Sequence, residues 1–181
     1  DHLGSLDKFP NATILVNPLE VAWALCPQPF SLYYYPEFRG IVTSSLDRMR
    51  LVGDRHTVAP GVTMVRTGGH SPGHSVVFVE TAEGTVALLG DLVYHYRSLE
   101  LDVPSETNFN LGESVAALQM VKENADILLL NHDPLVERLI PEGVGFSPLT
   151  GEVREYMTRL RTTGSYTPFT DGASQYWPKP H

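Results

Sequence analysis

"TMVRTGGHSPGHSVVFVE", residues 63–80, is a β-branched run, a glycine-rich turn with two histidines, and a second β-branched run. Runs of that kind read as strands, and the Gly and Pro between them mark a turn. His70 and His74 are thus presented at a strand end. The same punctuation continues on both sides. Upstream, "HTVAPGVTMVRT" (56–67) reads as two strands around the turn pair Pro60-Gly61. Downstream, "SVVFVE" and "TVALLG" are strands joined by "TAEG", a hairpin signal. "ATILV" (12–16) and "DILLL" (126–130) read as buried strands.

Helical stretches alternate with these strands. "NPLEVAWAL" (17–25) opens on Asn17 as N-cap, with Pro18 at the first helical position and Glu20 at capping-box spacing. "NLGESVAALQMVKEN" (110–124) repeats the device with Asn110 and Glu113, and Val115, Leu118 and Val121 fall on one helical face. "TGEVREYMTRLR" (150–161) reads as a late helix. The residues after it are rich in Gly, Pro and Ser and read as irregular. "CPQPFSLYYYPEF" (26–38) reads as an aromatic loop that could form a hydrophobic flap. Strands, a hairpin and helices in this order point to a layered α/β domain.

At 181 residues the chain suffices for one domain with a real core. A hydrophobic content of 42% argues against disorder. The net charge of −8 argues against a nucleic-acid partner, because phosphate binding relies on clustered Lys and Arg. No apolar run approaches the ~18 residues of a membrane span, so no membrane partner is expected. Cys26 is the only cysteine, so no internal disulfide can form. That fits a reducing compartment, and a cytoplasmic location is expected.

Several strand ends carry metal-type ligands. His70 follows "GVTMV", His132 follows "ILLLN", and Asp91 ends "TVALLG" in the pair Gly90-Asp91. His2 lies beside Asp1 at the start of the chain. Imidazole and carboxylate together suit zinc and related divalent ions. Taken singly, each has a bland reading: a terminal segment, a capping histidine, an ordinary Gly-Asp turn. Taken together, at successive strand ends, they favour a metal centre.

"DHLGS", "GGHSPGHS", "LLGD" and "NHD" resemble, in that order, the motifs of the metallo-β-lactamase-fold hydrolases. Within that superfamily the chain looks most like the N-acyl homoserine lactone lactonases. The doubled "GHSPGH" is similar to their doubled turn, and Tyr94, three residues after Asp91, matches their D-x-x-Y segment. The resemblance implies an αββα sandwich that lacks its N-terminal strands. Residues 1–181 would then be the C-terminal part of a single domain, with 145–181 as a C-terminal helix and irregular tail. It implies two divalent metal ions, zinc by default with Fe or Mn suited to the same ligands. His70 would belong to site one, Asp91 would bridge, and Asp1, His2 and His132 would complete site two. His74 would support the ligands without being one. His56, His95 and His181 are expected on the surface or in loops, with His95 close enough to Tyr94 to line the pocket.

The implied reaction is opening of a lactone or ester, as in quorum quenching, by a hydroxide held between the metals. Tyr94 would donate to the carbonyl oxygen, and Asp1 would carry the proton to the leaving group. The H-x-H half of the first motif would precede Asp1. An N-terminal segment of the same protein is therefore expected to supply those histidines; otherwise the chain keeps site two alone. A homodimer is a further expectation. Two rivals stand beside the lactonase. One is another hydrolase on the same scaffold: a thioesterase of the glyoxalase II kind, a β-lactamase or a phosphodiesterase. The other is a non-catalytic binding module.

Overall fold

The computed structural model describes residues 2, 4–26, 36–141 and 148–162, with backbone alone at 36–38. The expectations for Asp1, for His181, for most of the aromatic loop and for the irregular tail lie outside those residues.

β1 (Ile14–Val16) leads directly into α1 (Pro18–Leu25). Asn17 is the N-cap, its side chain accepting from Leu19 N at 3.0 Å. Its amide also donates to Asp54 Oδ1 at 3.1 Å. α2 (Pro36–Ser44) was not anticipated, and it precedes β2 (Met49–Leu51). β1 and β2 pair in parallel as a two-stranded sheet. β1 is shorter than expected and half-buried rather than buried, since a two-stranded ribbon has few neighbours to cover it.

The second sheet is the main one. β3 (Arg55–Ala59), β4 (Val62–Arg66), β5 (Ser75–Thr81) and β6 (Gly84–Leu88) form an antiparallel meander. α3 (Tyr96–Glu100) and α4 (Leu111–Asn124) follow, and β7 (Ile127–Leu129) then joins parallel to β6. The strand order is β3-β4-β5-β6-β7. α5 (Leu135–Leu139) and α6 (Gly151–Thr162) complete the described elements. His56, expected on the surface or in a loop, is half-buried on β3 opposite Met64. Its place in an alternating strand puts it in the ladder.

The register sorts the main sheet into two faces. Val65, Val76, Phe78, Ala87 and Leu128 share one of them. Val76, Ala87 and Leu128 are completely buried there, in one core with Tyr96, Leu99, Leu118, Val121, Met157 and Leu160 of the helices. On the opposite face Met64 and Val77 are half-buried and Leu88 is 42% exposed. Met64 shares a cavity of about 350 Å³ with Leu15 and Val16 of β1, so the small sheet faces the large one across it. Helices, main sheet and small sheet are thus stacked in layers, in an α/β arrangement.

The buried stripe of α4 is Ser114, Ala117, Leu118, Val121 and Lys122. Val115, expected on that stripe, is 39% exposed. Asn110 fixes the start of the helix by accepting from Glu113 N, and the first turn then leaves residue 115 facing outward. Leu118→Ala is expected to cost about 2–5 kcal/mol in a urea melt, the range for emptying a filled core position. Val115→Ala on the same helix should cost under about 1 kcal/mol.

Candidate metal centre

β4 and β6 run in the same direction, both being antiparallel to β5, and β7 runs parallel to β6. The C-terminal ends of β4, β6 and β7 therefore lie on one edge of the main sheet. His70 follows β4, Asp91 follows β6 and His132 follows β7. Gly90, at φ +54°, turns the chain out of β6 so that Asp91 projects into this edge. His2 approaches from the segment ahead of β1.

Asp91 is the hub, and it is only 4% exposed. His2 Nε2 lies 3.1 Å and His70 Nε2 3.4 Å from its Oδ2. His132 Nε2 lies 3.0 Å from its Oδ1, which also accepts from Asn131 Nδ2 at 3.2 Å. His2, Asp91 and His132 bring ligand atoms within 4.8 Å of one another. His70 stands on the carboxylate beside them.

Burial by itself pushes the Asp91 carboxyl upward. The Asn131 hydrogen bond and the neighbouring His2, His70 and His132 outweigh it and hold the group below its ordinary value. It is therefore a carboxylate at neutral pH.

The supporting contacts fix which nitrogen each ring offers. His70 Nδ1 donates to the Thr107 carbonyl at 3.0 Å, leaving Nε2 as the nitrogen that faces Asp91. His74 is turned the other way. Its Nε2 accepts the Asp91 N–H at 3.2 Å, so Nδ1 carries the proton and donates to Thr67 Oγ1 at 2.6 Å. His74 is thus occupied on both nitrogens and anchors the backbone of Asp91. Burial, aided by His70, pushes its pKa down to about 4. Tyr94 stands at the rim, its ring centroid 4.9 Å from that of His132 and 6.5 Å from that of His70. His95 is exposed at the start of α3.

Two residues were missed, although they flank His132 in "NHD". Asn131 restrains Asp91, as described above. Asp133 accepts from Tyr96 N at 2.8 Å and from Leu135 N at 2.9 Å, tying the His132 loop to the first turn of α3. Their adjacency to a candidate ligand was the available signal.

The donor set fits a divalent metal. Zn–N and Zn–O bonds of ~2.0–2.1 Å in a tetrahedron place neighbouring ligand atoms about 3.3 Å apart. The nitrogen-to-carboxylate separations here, 3.0 to 3.4 Å, have that spacing.

Residues 1–167 match the family model of the metallo-beta-lactamase superfamily. The chain belongs to that superfamily. It is 30% identical over 149 residues to an N-acyl homoserine lactonase of Bacillus thuringiensis, covering 78% of this chain and 56% of that protein. A Bacillus cereus N-acyl homoserine lactonase is 29% identical over 139 residues, covering 74% and 52%. Among solved structures, an N-acyl homoserine lactone hydrolase with the product N-hexanoyl-L-homoserine at its catalytic metal centre superposes with a TM-score of 0.59. The identity there is 26%, over 76% of this chain and 54% of that one. The chain spans about half the length of the relatives it matches. No described helix is long and apolar enough to cross a membrane.

The neutral, half-buried His74 gives this superfamily member a specific acid sensitivity. Its folded pKa lies below the ordinary 6.5, so the unfolded chain takes up a proton that the folded chain refuses. Stability is then complete above pH 6.5 and is lost as the pH falls toward 4. At pH 5 the loss from this one group is on the order of 2 kcal/mol. Denaturant melts at pH 7 and pH 5 should show it, and His74→Gln should narrow the gap between them.

Proposed function

We propose that the protein is a metal-dependent hydrolase that opens a lactone or ester of the N-acyl homoserine lactone kind. The observation that carries this reading is the convergence of His2, His70 and His132 on the two oxygens of one buried carboxylate, Asp91. Similarity to lactonases supports the substrate class.

On this reading His70 and Asp91 serve one metal, and His2, His132, Asp91 and Asp1 serve a second. Bound ions would lower the pKa of water toward neutrality and polarise the scissile carbonyl. The chain's own groups do the rest. The Asn131 amide keeps the carboxylate from rotating as charge builds up beside it, and His74 holds the Asp91 backbone beneath it. The Tyr94 hydroxyl donates to the carbonyl oxygen as it becomes an oxyanion. Asp1 accepts the proton of the attacking water and returns it to the departing alkoxide. Zinc is the default ion, and iron or manganese suits the same donors.

Asp91→Ala is expected to abolish bound metal and lactone hydrolysis together, as read by elemental analysis and a pH-stat assay. A variant that kept both would remove Asp91 from the centre. Tyr94→Phe should keep its metal and lose roughly ten- to a hundredfold in kcat, the scale of a lost oxyanion donor. Unchanged kcat would take Tyr94 out of the reaction. A panel of lactones, thioesters, a cephalosporin and a bis-aryl phosphate separates the lactonase reading from its neighbours on the same scaffold.

A further inference from the structure

The loop between β4 and β5 is gripped from two sides. α1 and α4 begin alike, with an Asn cap and a glutamate at the third helical position. Both glutamates have the spacing of a capping box, yet each reaches to the loop. Glu20 Oε2 accepts from Ser71 Oγ at 2.7 Å and from Gly73 N at 2.9 Å. Glu113 Oε2 accepts from Gly69 N at 3.2 Å. Its Oε1 accepts from Arg66 Nη2 at 3.1 Å, and Arg66 Nε donates to the Pro72 carbonyl at 2.7 Å.

Backbone contact reinforces both grips. A Cβ on Gly73 would fall 2.5 Å from Glu20 N, and one on Gly69 would fall 2.9 Å from Ser114 Cα. Only glycine lets the loop sit this close to each helix. The loop also bonds to itself: Thr67 N and Gly68 N donate to His74 O, His70 N to Gly68 O, and His74 N to Ser71 O. The Gly69 and Gly73 amides are satisfied instead by the two glutamates. His70 lies between them.

We propose that Glu20 and Glu113 are positioning residues, a two-sided clamp that fixes the aim of His70 Nε2 at Asp91 and thereby sets the metal affinity of the site. The clamp rests on the metal-site reading above. Without it the His70 ring still donates to the Thr107 carbonyl, and the Gly69 carbonyl still accepts from Phe109 N at 2.7 Å and Asn110 N at 2.9 Å. The loop therefore keeps its fold, but the Gly69 and Gly73 amides on either side of His70 lose their partners, and the aim of its Nε2 is less closely fixed. Outer contacts that orient metal ligands commonly change metal affinity ten- to a hundredfold when removed.

The test measures Co²⁺ affinity by competition with a chromophoric chelator, and amide hydrogen exchange on the metal-free protein. It compares the parent with Glu20→Ala, Glu113→Ala and Glu20→Gln. The alanine variants are expected to lose ten- to a hundredfold in Co²⁺ affinity. They should also exchange faster at Gly73 and Gly69 respectively. Glu20→Gln should restore both, because its remaining carbonyl oxygen accepts the same two bonds. Should Glu20→Ala fail to fold, Ser71→Ala removes one bond to the same carboxylate and should give a smaller loss of the same kind. Alanine variants that bind Co²⁺ like the parent overturn the clamp. A parent that binds no Co²⁺ overturns the metal-site reading itself. The exchange rates still judge the clamp, which fails if Gly69 and Gly73 exchange alike in parent and variants.

Discussion

A carboxylate buried as deeply as Asp91 must be surrounded by donors or give up its charge. Much of the local architecture follows from that requirement. Asn131 supplies one N–H, three imidazoles crowd the two oxygens, and His74 holds the backbone at the same residue. These groups arrive from three places: the loop after β7, the β4–β5 loop and the segment ahead of β1. The main sheet brings three of those ends to one edge, because β4, β6 and β7 share a direction. Reversing any one of those strands would carry its ligand to the far edge. Sheet topology and site composition are therefore one constraint seen at two scales.

The sequence disclosed the strands of the main sheet well because their signals are local, whereas the three-residue β2 carries no such signal and was not foreseen. Pro60-Gly61 and "TAEG" punctuate the meander, and the β-branched runs between them need no distant information. Helix starts at Asn17 and Asn110 were legible for the same reason. What the sequence could not disclose was where Glu20 and Glu113 point. Capping-box spacing makes a bond to the helix's own N-cap available. Against it stood two loop amides at 2.9 and 3.2 Å that only the folded chain brings near. Val115 failed likewise: a helical face can be drawn from periodicity, but its rotation is set by the cap and by the sheet it packs on.

The site divides in the same way. His70, Asp91 and His132 were legible because strand-end position is a sequence property. His2 was legible only through its neighbour and the motif that the two resemble. Asn131, Asp133 and the tautomer of His74 were hidden, since each depends on a contact across at least 17 residues of chain. The candidate ligand atoms are written in local motifs; the groups that aim them are written in the packing.

That division has a consequence for how the centre is assembled. Three of its described limbs are parts of one hydrogen-bonded sheet, and His70, Asp91 and His132 are held there by Thr107, His74 and the Asp133 turn. The fourth limb, His2, comes from a short turn region ahead of β1, on the side of the small sheet, and its side chain is 58% exposed. The main-sheet limbs are preorganised, so little entropy remains to be lost there when an ion binds. The His2 limb reaches the centre through its own contacts, Nε2 on Asp91 Oδ2 at 3.1 Å and its ring centroid 5.2 Å from that of His132. On the proposed metal-site reading, an ion held between them would cross-link the main sheet to the segment leading into β1, and its binding free energy would add to the cohesion of the two layers. The clamp by Glu20 runs in the same direction, since α1 follows β1 directly while Ser71 and Gly73 belong to the main sheet's loop. Glu20 and the proposed metal centre would thus join the same two parts of the molecule at adjacent points, which ties the geometry of the centre to the seating of one sheet on the other.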